Sequence, residues 1–313
     1  MTLKCSIIIP SYNGEKLLQE NLPFTLKESE NFSNDFEVIV VDDASTDNSV
    51  IVIQEKFPEV KLVQHEVNKG FAEAIHSGVN VASYELIFLL NSDVQLIEGC
   101  LNKLEKHFER EDTFAVNPLI LNQDHEVNQS SWTRSKFSHG RLKLKPWEVA
   151  DLPTMKQSEE GKLTLYCSGG SVMMRKVMFQ ELGGFSKMYK PFYYEDFDLG
   201  LRAWYRGWSS YFDPSAEVLH ADKGTIEGHF KSDLIKSTQR RNRHLLEWTH
   251  FPLSRLLFST IPFTLLQLLG ELVLIDKKNV KAFFMALKEI SEVRQSRKAI
   301  RTKKILLSDI IRK

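Results

Sequence analysis

This sequence predicts an α/β fold: a doubly wound, mainly parallel sheet followed by a C-terminal helical extension. Short apolar runs rich in β-branched residues recur through the first third of the chain, and stretches with helical spacing separate them. Acidic residues gather where several of those runs stop. In such sheets, ligands bind at the loops following the carboxyl ends of the strands.

The runs are Cys5–Pro10, closed by its proline; Phe36–Val41, closed by Asp42 and Asp43; Lys61–His65; and Glu85–Leu90. Unbroken rows of branched apolar residues suit strands covered on both faces. Between them, Ser45 or Thr46 can cap a helix through Val50, Ile51, Ile53 and Gln54, with Pro58 beyond its end. Gly70–Ala82 spaces Phe71, Ala74, Ile75 and Gly78 three and four apart, and Leu96–Phe108 aligns Leu101, Leu104 and Phe108 on one face. Further on, Ser209–Phe212 and Ala216–His220 read as two short strands around Asp213 and Pro214. Asn122–Glu160 is polar and weakly periodic; it is either a solvated excursion or a loop that orders over a ligand.

Composition narrows the function. With 313 residues, 42% hydrophobic and 26% charged, the chain can bury a sizeable core. Basic and acidic residues balance at 41 each, so no whole-protein field points to nucleic acid. Cys5, Cys100 and Cys167 are too few and scattered for a disulfide framework or thiolate metal site. The apolar run near Met1 is too short for a signal peptide, so retention in the cytoplasm is expected.

The chemistry-bearing residues lie at the ends of the runs. Asp42 and Asp43 can form a turn or accept hydrogen bonds from a base or ribose. Asp93, in Asn91-Ser92-Asp93 after the fourth run, can hold a hard divalent cation against phosphate. Glu195, Asp196 and Asp198 sit among aromatics, where shielding can raise a carboxyl pKa toward that of a general base. Asp198 and Arg202 have salt-bridge spacing. His220, near Asp222, is either structural or a ligand, and Cys167–Ser171 is a small-residue turn.

Together, Ile8–Gly14, Val40–Asp47, Asn68–Phe71, Leu90–Asp93, Cys167–Gly170, Leu182–Phe185, Glu195–Leu199 and Pro214–His220 resemble family 2 glycosyltransferases, in particular the bacterial rhamnosyltransferase-like branch. The resemblance runs from Cys5 to about Thr225. It implies the GT-A fold over 1–225, with a nucleotide-sugar-binding half (1–118) and an acceptor-binding half (119–225), and a helical extension over 226–313. It also implies a nucleoside diphosphate sugar donor, dTDP- or UDP-linked, inversion at the anomeric carbon, and a lipid-linked or cell-surface glycan acceptor. By the same resemblance, Pro10, Tyr12 and Asn13 border the nucleobase, one of Asp42 or Asp43 contacts base or ribose, and Asn68 and Gly70 line that pocket. Asp93 matches the final acid of the family's metal motif, with Asn91 in place of its first acid; His220 matches a late histidine near the metal. Asp196 matches the general base, with Glu195 shaping its surroundings. The implied cofactor is Mg2+ or Mn2+. The competing classes are a nucleotidyltransferase on a similar fold and a non-catalytic glycan-binding or scaffold homologue; the missing Gly-x-Gly-x-x-Gly argues against a dinucleotide enzyme.

The tail points to a surface. Phe230–Trp248 reads as a polar-faced helix, and Phe251–Ile275 is apolar apart from Arg255, Pro262 and Glu271. Its charge-free part, Leu256–Gly270, is shorter than the roughly 20 residues that span hydrocarbon. Helices lying on a membrane or forming a homodimer interface fit better. The basic end from Arg294 to Lys313, opposed by Asp309, suits an anionic membrane surface.

Overall fold

The computed structural model describes residues 3–158, 160–220, 231–273, 278–300, 305 and 307–312, and every structural statement below refers to these. Phe230, Ile275, Asp222 and the basic positions Arg301, Lys303, Lys304 and Lys313 lie outside the described residues, as does the expected boundary near Thr225.

The first strand, β1 (Cys5–Ser11), lies between β2 (Phe36–Asp42) and β4 (Leu86–Leu90), with β3 (Lys61–Gln64) beyond β2; all three pairings are parallel. The apolar runs are unbroken because alternate residues feed two cores. Ile7, Val38, Val40 and Phe88 pack with Leu18 and Leu22 of α1 (Glu15–Glu30) and Ile53 of α2 (Ser49–Lys56). Ile8, Ile39, Val41 and Leu89 pack with Ala74, Ile75 and Val79 of α3 (Phe71–Val81). A Cβ on Gly78 would sit 2.4 Å from Ile8 Cγ2, so glycine is what lets α3 press onto β1.

Beyond β4 the sheet is mixed. β10 (Ser171–Arg175) runs antiparallel to both β4 and β6 (Thr113–Leu121), β6 pairs in parallel with β11 (Ser209–His220), the two-residue β9 (Lys162–Leu163) pairs antiparallel with β11, and the short β5 (Val94–Leu96) closes the edge antiparallel to β11. The two short strands expected at the end are therefore one. β11 continues through a register shift between Asp213 and Glu217, where Asp213 accepts from Ser215 N (2.8 Å) and lies 2.8 Å from His107 Nε2. The Leu96–Phe108 stretch is shorter as α-helix than its spacing suggests: Leu96 ends β5, α4 covers Cys100–Glu105, and a 3-10 turn continues it.

The polar stretch from Asn122 carries secondary structure of its own. It holds a hairpin, β7 (Arg134–Ser138) with β8 (Arg141–Lys145), and a short helix, α5 (Leu152–Lys156). Trp132 and Trp147 pack on each other and on Phe212, with Trp132 Nε1 donating to Leu163 O (2.8 Å). After α6 (Lys176–Glu181) and α7 (Glu195–Arg206), the long helix Ser232–His250 shares a core with α7 through Leu201, Trp204, Leu245 and Leu246. A continuous helical stretch, Leu253–Glu271, follows; by length and composition it could cross a membrane, with a mean hydropathy of 1.3.

Candidate active site

Strand directions bring the family-like motifs to one edge of the sheet. β1, β2, β3 and β4 end there; β10, running the other way, begins there; β11 ends there opposite the start of β5.

At the β1–β3 end, the loops tie to one another. Asn13 Oδ1 accepts from Thr46 N (2.8 Å), and Asn13 N donates to Ser45 Oγ (2.8 Å). Ser45 and Thr46 are thus spent on the loop, and α2 starts only at Ser49. The two aspartates divide the work. Asp43 Oδ1 accepts from Lys69 N (2.8 Å) and lies 2.6 Å from His65 Nδ1, and its Oδ2 accepts from Gly70 N (2.7 Å). Asp43 therefore shapes the Asn68–Gly70 turn, where Gly70 adopts φ +87°. Asp42 accepts from Ser45 N through Oδ2 (3.1 Å), while its buried Oδ1 has no hydrogen-bond partner among the described residues. An unsatisfied buried acceptor is costly, and a ligand donor would relieve it. Pro10 and Tyr12 lead into this cluster, Tyr12 partly exposed; Asn68 is exposed.

At the β4 end, Asn91 N donates to Gly170 O (2.8 Å) and Asn21 Nδ2 to Ser92 O (2.9 Å), which fixes the turn into β5. Pairing of Val94 with His220 then sets buried Asp93 against the end of β11, with Asp93 Oδ1 and His220 Nε2 3.6 Å apart. That exceeds an ordinary hydrogen bond. A carboxylate oxygen and an imidazole nitrogen converging at the sheet edge are donors that fit a divalent ion. Among the described residues no third acidic, histidine or cysteine side chain joins them.

The glycine turn links this cluster to the carboxylates of α7. Gly170 receives Asn91, and Gly169 N approaches Asp196 Oδ2 at 3.4 Å; Phe197 N donates to Asp196 Oδ1 (2.7 Å). Burial pushes the Asp196 carboxyl up to about 6, against the pull of those amides. Burial, then the charge of Asp196, pushes Glu195 up to about 8, and its covered Oε2 has no hydrogen-bond partner among the described residues. The pair titrates together, so near neutral pH the two carboxyls share about one proton between them. Cys167 is buried with its thiol pushed up, so it supplies no thiolate.

Asp198 belongs elsewhere. Burial would raise its pKa, but Arg202 (Nε, 2.7 Å) and His250 (Nε2, 2.8 Å) outweigh that and hold it low. Arg202 also donates to Leu182 O and Gly184 O, which explains the Leu182–Phe185 motif as an anchored turn.

A family model described as "Glycosyl transferase family 2" matches residues 6–183. The chain belongs to this family. Like the family, it transfers a sugar from a nucleoside diphosphate sugar to an acceptor hydroxyl. This family 2 glycosyltransferase is 26% identical over 243 residues to the N-acetylglucosaminyl-diphospho-decaprenol L-rhamnosyltransferase of Mycobacterium tuberculosis (strain ATCC 25618 / H37Rv), covering 68% of this chain and 78% of that one. It is 27% identical over 198 residues to an uncharacterized glycosyltransferase of Haemophilus influenzae, covering 63% and 60%. Its GT-A fold matches the crystal structure of GalNAc-T7 with UDP, GalNAc and Mn2+ at a TM-score of 0.63 and 17% identity, over 80% of this chain but 49% of that longer one. It also matches the mannosyltransferase PcManGT of Pyrobaculum calidifontis with GDP-Man and Mn2+ at 0.55 and 15% identity, over 93% and 76%.

The glycosyltransferase has one positioning residue that pattern reading passed over. Tyr193 and Tyr194, just before the Glu195–Asp196 pair, both adopt positive φ (72° and 78°), a strained conformation for aromatic residues. Fully buried Asn242, on the Ser232–His250 helix, holds that turn: Nδ2 lies 2.8 Å from Tyr189 O, 2.9 Å from Phe192 O and 2.8 Å from Tyr193 O. The available signal was an amide three and four residues before Leu245 and Leu246, on a buried stripe. Asn242→Ala strands these carbonyls and is expected to cost about 1–3 kcal/mol in denaturant unfolding. An unchanged midpoint and slope would show that the amide does not hold the turn.

Proposed function

We propose that the enzyme moves a sugar from a dTDP- or UDP-linked donor, with inversion at the anomeric carbon, to a hydroxyl of a lipid-linked or surface glycan, working peripherally on the cytoplasmic face of the cell membrane. The carrying observation is the Asn91–Gly170/Gly169–Asp196 linkage, which ties the Glu195–Asp196 carboxyl pair to the turn that carries Asp93. The donor half, 1–118, would present the Pro10–Asn13 and Asn68–Gly70 loops to the nucleotide, with Asp42 Oδ1 as acceptor for a base or ribose donor. Residues 119–225 would present the acceptor.

Asp196 takes the proton of the acceptor hydroxyl as that oxygen forms a bond to the anomeric carbon. The bond from that carbon to the diphosphate oxygen breaks with its electron pair, and the nucleoside diphosphate leaves. The proton that the Glu195–Asp196 pair retains keeps a second negative charge away from the attacking oxygen. Asp93 and His220 fit a divalent ion, Mg2+ or Mn2+, which would supply positive charge at the leaving diphosphate. The mycobacterial relative's name supports the lipid-linked acceptor, and the Mn2+ in both structural relatives supports the metal.

Thermal unfolding with dTDP-, UDP- and GDP-linked sugars, each with Mn2+ or with chelator, tests the donor and metal assignments. Donor at about 100 times its Kd stabilises by about 2.7 kcal/mol. A dTDP- or UDP-sugar should raise Tm only with Mn2+. An equal rise under chelator would remove the metal, and a rise with GDP-sugars alone would overturn the donor class.

A further inference from the structure

The Leu253–Glu271 helical stretch is anchored along one narrow stripe and bare elsewhere. Leu256, Thr260 and Thr264, four apart, are buried, whereas Leu257, Phe258, Ile261, Leu265, Leu266 and Leu269 are 41–84% exposed. The anchor is polar and falls mid-helix. Thr260 Oγ1 donates to Gly140 O (2.8 Å) at the β7–β8 tip, and Arg141 Nη2 donates to Gln267 Oε1 (3.1 Å). Contact at the tip is close: a Cβ on Gly140 would lie 2.9 Å from Ser259 O.

The same hairpin sets like charges directly opposite one another. Lys136 pairs with Lys143 and Arg134 with Lys145, and all three lysines are exposed. Like charges across a strand pair are destabilising unless something anionic lies over them.

We infer that the bare face of the Leu253–Glu271 helix, together with the lysine-bearing β7–β8 hairpin that seats it, is a docking surface for an anionic lipid bilayer. It deepens the peripheral placement proposed above and is independent of the transfer chemistry. The helix lies in the interface and does not span. Crossing would carry its mid-helix anchors, and with them the buried Arg141–Glu247 pair (2.6 Å), to the bilayer centre, where charge is most costly. A second copy fits less well, because a two-fold interface meets itself and would set one lysine rim against the other.

The test is cosedimentation of the full chain with vesicles of phosphatidylcholine alone or doped with phosphatidylglycerol. The parent should pellet with the anionic vesicles, and less so as salt rises. Phe258→Ser with Leu266→Ser should weaken that partition about tenfold or more. Lys136→Glu with Lys143→Glu should weaken binding to the anionic vesicles alone. Transfer to a water-soluble acceptor should be unchanged in the Phe258/Leu266 variant, which separates docking from chemistry. A parent that ignores anionic vesicles overturns the inference, as does a Phe258/Leu266 variant that pellets like the parent. A parent dimer that the same variant splits, without any vesicle binding, assigns the face to a second copy.

Discussion

Asp196→Asn is expected to bind donor like the parent and to lose transfer by roughly 10²–10⁴-fold in a single turnover at saturating donor and acceptor. Asparagine keeps the volume and can still accept from Phe197 N through Oδ1, so the start of α7 should survive. What it lacks is a proton acceptor. In the parent, burial holds the Asp196 carboxyl near 6, so transfer should climb as pH rises through that value and then level off; the variant's residual rate should lack this climb. A variant that binds donor and transfers at the parent rate would exclude Asp196 and make Glu195 the next candidate.

Stability supplies a separate readout. The Asp196 pKa is raised on folding, so the native state holds extra proton between the unfolded value and about 6. Stability from that proton is present at low pH and lost as pH rises through the folded value. Above it, the desolvated charge is a burden that asparagine removes. Asp196→Asn should therefore unfold no lower than the parent above neutral pH. A marked drop in Tm with loss of donor affinity would instead make Asp196 a carboxylate that holds the turn together.

The parts of this site that were legible in the sequence are those fixed locally. Val38–Val41 and Leu86–Leu90 read as two-faced strands because consecutive side chains enter opposite cores, and the acids at their ends follow from strand direction. The misses come from partners distant in sequence. Ser45 and Thr46 look like helix caps until Asn13 claims them, and β11 looks broken until His107 steadies Asp213 across the bulge. The β7–β8 hairpin has charge where an isolated hairpin would not; its place depends on a helix more than a hundred residues later. Asp42 and Asp43 are equivalent as letters and separate only when the Lys69 and Gly70 amides are seen to occupy Asp43.

Asp93→Ala should cut turnover by about 10² or more at limiting Mn2+, in the range seen when charge stabilisation is removed from a developing anion. The reason lies in how thin the set is. By resemblance Asn91 stands where the family motif has its first acid, so in the proposed set Asp93 would be the anionic protein ligand beside His220, and its loss would leave an imidazole. Excess Mn2+ should restore part of the rate, because donor diphosphate still supplies oxygens. His220→Ala should shift the Mn2+ dependence in the same direction by less, since it removes a neutral ligand. Donor binding titrated against Mn2+ separates affinity from chemistry, and Asp93→Asn, which keeps the volume at the start of β5, separates charge from packing. If both Asp93 variants turn over like the parent at limiting Mn2+, the ion sits elsewhere. Loss of rate with Mn2+ affinity unchanged would make Asp93 a group that orients the diphosphate without holding metal.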